Sequence, residues 1–175
     1  MNRIIPWLLL ALSQGVSGAE LFGVPLGTAD KGSLGFAAQR AGATLLQTER
    51  NQVFEVFDSS AVLDVSFKLY LGFDVQTGKF GFAEYHIHRI GHRTMLARLT
   101  AKYGEPTLET GEFSFHERQR WQVDGIEISL QKARGCLCSQ LIYSEPATHA
   151  IVRQQHEQVQ RQRAEEVLET FQKAY

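Results

Sequence analysis

The stretches LGFAAQRAG, residues 34–42, and LARLTAKYG, residues 96–104, decide the fold because they repeat one pattern 62 positions apart. In each stretch, apolar or small residues follow the helical spacing i, i+3, i+4, i+7 before a glycine. The pattern predicts two helices that end at Gly42 and Gly104. Their buried faces are predicted to carry Leu34, Ala37 and Ala41 in the first helix and Leu96, Leu99 and Tyr103 in the second.

Extended segments follow both helices in the same order. Pro106 stops the second helix, and later segments alternate apolar with polar residues as half-buried strands do. The matching pairs are ATLLQT (43–48) with EPTLET (105–110), LDVSF (63–67) with IEISL (126–130), and AEYHI (83–87) with LIYSE (141–145). Together with the helices, these pairs indicate an internal duplication. Each copy, residues 20–90 and 91–146, is predicted to have a helix followed by about three strands.

Short turns join the predicted strands, for example QTGK (76–79) and VDG (123–125), so consecutive strands should pair antiparallel. The predicted fold class is α+β. It consists of two tandem α-β-β-β units with an antiparallel sheet, helices on one face, and a C-terminal helix over residues 147–175. The other sheet face is then free and suited to holding another macromolecule.

The N-terminus has the three parts of a secretory signal peptide. Asn2-Arg3 precedes the apolar run Ile4–Leu12, and Ser17-Gly18-Ala19 supplies the small residues before a cleavage site. The apolar run of about nine residues is well short of the roughly 20 that span a bilayer. The sequence therefore predicts a signal peptide over residues 1–19. The mature chain from Glu20 to Tyr175 is predicted to be soluble and periplasmic, with no integral membrane segment.

The repeated pattern of LTAKYGEP (99–106) and IEISL (126–130) resembles a known architecture over roughly residues 32–146. This is the tandem helix-plus-antiparallel-sheet fold of secreted β-lactamase-inhibitor proteins, and it is similar to the single-copy fold of small outer-membrane assembly lipoproteins. The resemblance implies an exported protein that binds another protein on its sheet face. The chain departs from the lipoproteins because no cysteine follows the predicted cleavage site.

The charge balance argues against two classes of partner. The chain has 18 Lys and Arg against 19 Asp and Glu, and Arg3 is the single charged residue among residues 1–19. Removing residues 1–19 therefore leaves 17 basic against 19 acidic residues, a net charge of −2. Faces that bind nucleic acid or acidic membranes are basic. The near balance of charge favours neither nucleic acid nor an acidic membrane as a partner.

Alternation along QRWQVDG (119–125) places Trp121 and Val123 on one face of a strand, so both should belong to the core. The free face is then predicted to carry Arg118, Arg120 and Gln122 beside Glu127 and Ser129. Arginine is enriched at interfaces because its planar fork makes several hydrogen bonds at once. Arg118, Arg120 and Gln122 are therefore candidate partner-binding residues.

The C-terminal helix has two contrasting parts. Residues 153–163 are polar nearly all round, and an apolar stripe at helical spacing follows, formed by Ala164, Val167, Leu168, Phe171 and Tyr175. The stripe either docks back onto the domain or grips a partner. The second alternative makes Val167, Leu168 and Phe171 candidate partner-binding residues.

Cys136 and Cys138 are the only cysteines of the chain and lie one residue apart. In a strand their Cα atoms would be about 6.6 Å apart, near the upper limit for a disulfide, so a bridge needs a bend that Gly135 permits. So short a loop would contribute only about 1.6 kcal/mol, which favours a labile, redox-active bridge over a stabilising one. An oxidising compartment favours the Cys136–Cys138 disulfide, with intermolecular bridges and metal binding as alternatives.

The segment EYHIHRIGH (84–92) is a second candidate for chemistry. His86 and His88 share one face of a strand and His92 lies just beyond, a spacing that zinc and copper ligands use. His116 and the two cysteines are the only further ligands that the sequence suggests. The alternative is that these histidines form the polar outer face of a strand.

Motifs for catalysis are absent from the sequence, including G-x-S-x-G, H-E-x-x-H and a Gly-rich phosphate loop. Glu84 and Glu127 are expected to be surface carboxylates unless a pocket surrounds them. The sequence therefore favours a non-enzymatic protein-interaction module, of inhibitor, immunity or envelope-assembly type, that has no catalytic residue and needs no metal or cofactor. The alternative is a periplasmic metal- or redox-handling protein that uses His86, His88, His92, Cys136 and Cys138.

We expect the mature protein to begin at Glu20 and to be released by osmotic shock, because the short apolar run ends in Ser17-Gly18-Ala19. Intact-mass measurement and N-terminal sequencing of the released protein check this. An intact segment 1–19 on a soluble cytosolic protein would contradict the export prediction.

Overall fold

The structure is a computed structural model that describes residues 18–48, 53–110, 117–133 and 137–174. Helices and antiparallel strands are both abundant, so the predicted α+β class is confirmed. In chain order the described elements are β1 (Glu20–Leu21), β2 (Val24–Pro25), α1 (Lys31–Arg40), β3 (Thr44–Thr48), β4 (Phe54–Asp58), β5 (Ser66–Phe73), β6 (Phe80–His88), α2 (His92–Tyr103), β7 (Thr107–Thr110), β8 (Glu117–Val123), β9 (Ile126–Lys132), β10 (Cys138–Ser144) and α3 (Pro146–Ala174).

Eight of the described strands form one antiparallel sheet in the order β3-β4-β5-β6-β10-β9-β8-β7, and β1 pairs with β2 in a small hairpin. The first half of the sheet, β3 to β6, follows α1 in the chain, and the second half, β7 to β10, follows α2. Each half has four strands where the sequence predicts about three. Comparing the two copies missed β4 because its counterpart β8 has a different, more basic sequence.

The pairing between β6 and β10 gives the two halves a common centre. Glu84 pairs with Ile142, which lies 58 positions later, and Ala83 and Tyr85 pair with Tyr143 and Leu141. The same 58-residue offset relates AEYHI to LIYSE. Residues matched in sequence are therefore placed symmetrically about the Glu84–Ile142 pair, and the strands follow the same order from this centre to either edge.

One predicted match between the halves is wrong. Leu69 on β5 pairs with Tyr85, and Ile128 on β9 pairs with Tyr143, so Leu69 and Ile128 are equivalent positions. FKLYL (67–71), and not LDVSF (63–67), is therefore the counterpart of IEISL. The first residues of LDVSF belong to the turn before β5, where the Leu63 carbonyl accepts a hydrogen bond from the Ser66 amide.

Helices α1 and α2 end at the predicted glycines. Gly42 and Gly104 have φ angles of +107° and +84°, a region that favours glycine because it has no Cβ. At the start of α1, the Asp30 side chain accepts a hydrogen bond from the Ser33 amide at 2.8 Å, and the Ser33 hydroxyl accepts from the Asp30 amide at 3.1 Å. This reciprocal capping fixes the first turn.

The main core lies between α1, α2 and one face of the sheet, which we call the helix face. The helices bury Leu34, Ala38, Met95 and Leu99, each at most 4% exposed. The burial predicted for Leu34 and Leu99 is confirmed, whereas Ala37, Leu96 and Tyr103 are only half-buried and Ala41 is exposed. The predicted faces were too wide because each helix buries chiefly one i, i+4 pair.

Helix α3 lies on the other sheet face, which we call the open face. Four residues of its first half form a stripe at spacings of three and four, namely His149, Val152, His156 and Val159. The two valines are buried with Val53 against Phe54 and Phe82. We call these four residues the docking stripe. None of the described helices is long and apolar enough to cross a membrane.

The apolar stripe in the second half of α3 does not dock. Val167 and Leu168 are 56% and 59% exposed, so the interpretation that this part of the stripe packs back onto the domain is wrong. The side chain of Phe171, and Tyr175 as a whole, lie outside the described residues. The helix instead contacts the sheet through its first half, where Val152 and Val159 are buried.

We predict that Leu99→Ala lowers the free energy of unfolding by about 2 to 5 kcal/mol, because it leaves a cavity beneath α2. Urea unfolding at constant m-value measures the loss. Leu108→Ala is the matched control, since Leu108 is 56% exposed on edge strand β7 and its truncation should cost less than about 0.5 kcal/mol. Equal losses for the two variants would contradict the packing of α2.

Candidate functional site

Strand β8 divides its side chains between the two sheet faces as the sequence predicts. Trp121 and Val123 are buried on the helix face, and the Trp121 Nε1 donates a hydrogen bond to the Gly104 carbonyl at 2.8 Å. Arg118 and Gln122 lie on the open face with Arg120, the two arginines half-buried and Gln122 exposed. The indole thus ties β8 to the end of α2 and fixes which side chains the open face receives.

A chain of hydrogen bonds crosses the open face from β8 to β6. The Arg118 Nε donates to the Gln131 Oε1 at 2.8 Å, and the Gln131 Nε2 donates to the Gln140 Oε1 at 3.0 Å. The Gln140 Nε2 donates to the Glu84 Oε1 at 2.6 Å. The same Glu84 Oε1 lies 2.8 Å from the His86 Nε2. We call Arg118, Gln131, Gln140, Glu84 and His86 the polar ladder.

The polar ladder has a direction. From Arg118 through both glutamines, every donor points toward Glu84, so a cationic end on β8 faces an anionic end on β6. Four adjacent strands place these ends about 14 Å apart. The hydrogen bonds within such a chain polarise one another. Each glutamine side chain keeps one N–H and one oxygen lone pair for a further partner. The ladder therefore presents fixed donors and acceptors.

A second charged group flanks the polar ladder. The Arg120 Nη1 lies 2.8 Å from the Glu109 Oε1, and its Nε lies 3.4 Å from the Glu127 Oε1 without hydrogen-bond geometry. Arg120 is 33% exposed, so neighbouring strands hold its side chain in place. The Arg118 guanidinium differs, because the described residues engage it through its Nε. No described residue is hydrogen-bonded to its terminal nitrogens, which suit an incoming carboxylate.

The polar ladder has an apolar counterpart in the first half of the sheet. Phe54 pairs with Gly72, and Gly72 pairs with Phe82, which forms one row across β4, β5 and β6. The corresponding row across β8, β9 and β10 is Arg118, Gln131 and Gln140. The two rows lie symmetrically about the central Glu84–Ile142 pair, since Phe82 pairs with Ser144 and Gln140 pairs with His86.

Helix α3 covers only the apolar row. Phe82 packs against the docking stripe, and its ring centroid lies 5.0 Å from that of His149. The Phe54 ring centroid lies 4.9 Å from that of His156. We call the surface over the apolar row the apolar seat, which α3 occupies. We call the equivalent surface in the second half, which the polar ladder lines, the polar seat. No described residue covers the polar seat in this way.

The three histidines proposed as metal ligands do not come together. His86 and His88 lie on the open face, whereas the His92 Nδ1 lies 2.9 Å from the hydroxyl of Ser139, a buried helix-face residue that pairs with Ile87. Partial burial, with a contribution from Lys132, lowers the pKa of His92. Among the described residues no group of three or more His, Cys, Asp or Glu side chains is placed to hold a metal ion.

Cys138 begins β10 directly beside His88, its Cα partner on β6. The described part of the chain contains no free cysteine. Cys136 and His116 lie outside the described residues, so the Cys136–Cys138 pairing remains a prediction. The strand order nevertheless places Cys138 at the end of β10 on the open face, beside His88.

The carboxylates of the open face have structural partners. Glu84 accepts hydrogen bonds within the polar ladder, while Glu127 lies beside Arg120. They are not Cα partners, since Glu84 pairs with Ile142 and Glu127 with Ser144. The arrangement does not provide the facing carboxylates that acid–base catalysis would use.

A cavity of about 450 Å³ opens between the starts of α1 and α3. Its acidic lining residues, Asp30 and Glu145, already cap those helices. The hydrogen bonds from Ser33 lower the pKa of Asp30. At Glu145, partial burial opposes the shift, but hydrogen bonds from Thr148 and Ala147 lower its pKa. Helix capping therefore accounts for the charges around this cavity.

Sequence reasoning named Arg118 and missed both glutamines of the polar ladder. Gln131 and Gln140 occupy the polar positions of alternating strands, so their face could be read from the sequence. Their contact depends on β10 lying between β6 and β9. That order involves long-range pairing that alternation alone does not determine.

We predict that Arg118 and Gln140 are energetically coupled through Gln131. In a double-mutant cycle, Arg118→Ala and Gln140→Ala should show a coupling of about 0.5 kcal/mol or more, although the residues do not contact each other. Urea unfolding of the four proteins measures it. Arg118→Ala with Gln122→Ala is the control cycle and should be additive. Additivity in both cycles would mean that the ladder is a set of independent contacts.

No protein-family model, curated protein or solved structure matches the chain.

Proposed function

We propose that the chain is an exported, non-enzymatic protein-interaction module, of inhibitor, immunity or envelope-assembly type, that holds a partner on the second half of its open face. The observation that carries the proposal is the pair of equivalent seats. A helix of the chain occupies the apolar seat over Phe54 and Phe82, and the polar ladder lines the other.

The polar seat has the chemistry of a protein interface. Its glutamines are held by neighbours on both sides, so binding a partner costs little additional side-chain entropy. The row next to the polar ladder begins at Ile142, in the central Glu84–Ile142 pair, and runs through Ser129 to Arg120. The polar seat thus combines fixed amides and the apolar Ile142 side chain with a charged rim, a mixture that protein interfaces use.

The direction of the polar ladder specifies the partner further. A carboxylate of the partner fits against the terminal nitrogens of Arg118, because a guanidinium binds carboxylates in a bidentate manner. A donor of the partner fits near Glu84, at the other end of the ladder. The partner segment therefore carries opposite charges about 14 Å apart, which follows from the spacing of four strands.

Three further features belong to this proposal and motivate its cellular setting. The apolar N-terminal run supports export to the periplasm, where a Cys136–Cys138 bridge would form. The arrangement of helix and sheet supports a relationship to tandem inhibitor proteins. The exposed Val167 and Leu168, with Phe171, supply a second apolar contact for the same partner.

Site-specific photocrosslinking tests whether the partner lies on the polar seat. A photoreactive phenylalanine analogue at Gln122, which is exposed on the open face, should form one dominant adduct in the periplasm. The same analogue at Phe36, which is 64% exposed on α1 and hence on the opposite side of the sheet, is the matched control. An adduct from Phe36 alone would place the partner elsewhere and contradict the proposal.

The partner identified by crosslinking then allows a binding measurement. Arg118→Ala with Arg120→Ala should weaken its affinity at least about 30-fold, since interface hot spots, which are enriched in arginine, cost about 2 kcal/mol or more when truncated. The unfolding free energy should fall by less than about 1 kcal/mol because both side chains are partly exposed. Arg98→Ala is the control, since Arg98 pairs with Asp64 away from the open face. Unchanged affinity of the double variant would exclude the polar seat.

A further inference from the structure

The docking stripe of α3 alternates histidine with valine, an unusual composition for a helix face packed on a sheet. Val152 and Val159 are 1% and 7% exposed and supply the apolar contacts. His149 and His156 lie on the same face of the helix, and their rings contact those of Phe82 and Phe54 at tilted angles. Half of the stripe can therefore acquire a charge.

The Nδ1 of His156 lies where an N–H group would find no hydrogen-bond acceptor among the described residues. Its Nδ1 is buried and has no hydrogen-bond partner among the described residues. A neutral imidazole can leave this nitrogen as an unprotonated lone pair, but an imidazolium presents an N–H there. Burying that charged donor without a partner is costly, because it has lost water and gained no acceptor.

His149 is more stable in its neutral form. Partial burial, the largest influence, lowers its pKa from the ordinary 6.5, and Arg153 on the same helix acts in the same direction. Glu84 and Glu127 on the sheet act in the opposite direction, and the net shift is downward. These two carboxylates therefore do not compensate for the desolvation of this imidazole.

The other charged and titratable groups near the stripe leave the direction unchanged. Asp74 at the end of β5 accepts a hydrogen bond from Gln155 at 2.7 Å, and its pKa is lowered by hydrogen bonds from Thr77 and Gln155. It therefore stays ionised above pH 5. Glu157 lies 3.9 Å from Arg153 on the solvent side, and Tyr70 touches the Phe54 ring edge-on.

Close packing makes the docking sensitive to small changes. A Cβ at Gly81 would lie 2.7 Å from a methyl carbon of Val152, so only glycine lets α3 approach this closely. The Phe82 ring similarly lies over Gly72, which has no side chain to displace it. The helix is thus held by short-range packing that a slight outward movement would disrupt.

We propose that α3 docks on the sheet only while His149 and His156 are neutral, so that acidification releases the helix and uncovers the apolar seat of Phe54 and Phe82. The direction of this pH dependence follows from proton binding. The pKa of His149 is lowered in the docked helix, so released α3 binds more protons than docked α3 as the pH falls below about 6.5, and docking weakens on acidification. Acid then makes both halves of the open face available.

Hydrogen exchange of the full chain, corrected for intrinsic rates and read by mass spectrometry, tests the proposal. From pH 7.5 to pH 5.0, the opening of residues 147–159 should increase about fivefold or more, while β9 stays protected. His149→Gln with His156→Gln should reduce that increase to less than about twofold. His88→Gln, which changes an exposed histidine, should keep the wild-type response.

Gly81→Ala is the positive control, because it should open residues 147–159 at both pH values without altering a histidine. The wild-type methyl signals of Val152 and Val159 should also shift in NMR spectra with the same midpoint as the imidazole signals of His149 and His156. Three results would each overturn the proposal: parallel opening of β9, an undiminished response in the double variant, or valine signals that do not follow the histidines.

Discussion

The antiparallel pairing of β6 with β10 is the interaction on which the rest of the structure depends. Each half of the sheet would otherwise end in an unpaired inner strand, and exposed strand edges favour incorrect association. One pairing closes both edges, and Glu84 and Ile142 lie at its centre. It also places Tyr85 and Tyr143 at equivalent positions in the core, where burial raises the pKa of both phenols.

The two faces of the sheet have diverged to different extents. On the helix face, both halves place apolar side chains under a helix that ends at a glycine, because a core must fill its volume whatever the function. On the open face, the same backbone positions carry phenylalanines in one half and a hydrogen-bonded polar chain in the other. Backbone symmetry is thus combined with side-chain asymmetry where packing constrains the sequence least.

Local chemistry explains which features the sequence predicts well. Gly42 and Gly104 end their helices through backbone conformation, and Trp121 follows Val123 into the core through strand alternation. These properties depend on near neighbours, so a single sequence contains them. The strand order depends on contacts between β6 and β10, more than fifty residues apart, so the ladder through Gln131 and Gln140 could not be assembled from alternation.

The errors in the prediction come from treating histidine as simply polar. His156 lies among the polar residues 153–163, which the pattern presents as solvated, so the apolar stripe at Val167 and Leu168 is the docking surface that the sequence favours. His92 was grouped with the strand histidines although the turn before α2 carries it to the other face of the sheet. In both cases the protonation state and surroundings of the imidazole decide its role.

The magnitudes explain why histidine rather than leucine suits the docking stripe. Burying two valines contributes about 3 to 6 kcal/mol, and ordering the adjoining helix residues opposes part of this gain. Placing a charged imidazole without a partner in the same interface costs an amount of similar size. Two leucines in place of His149 and His156 would fix α3 on the sheet at every pH. With histidines, as we propose, protonation within the stripe weakens the docking of α3.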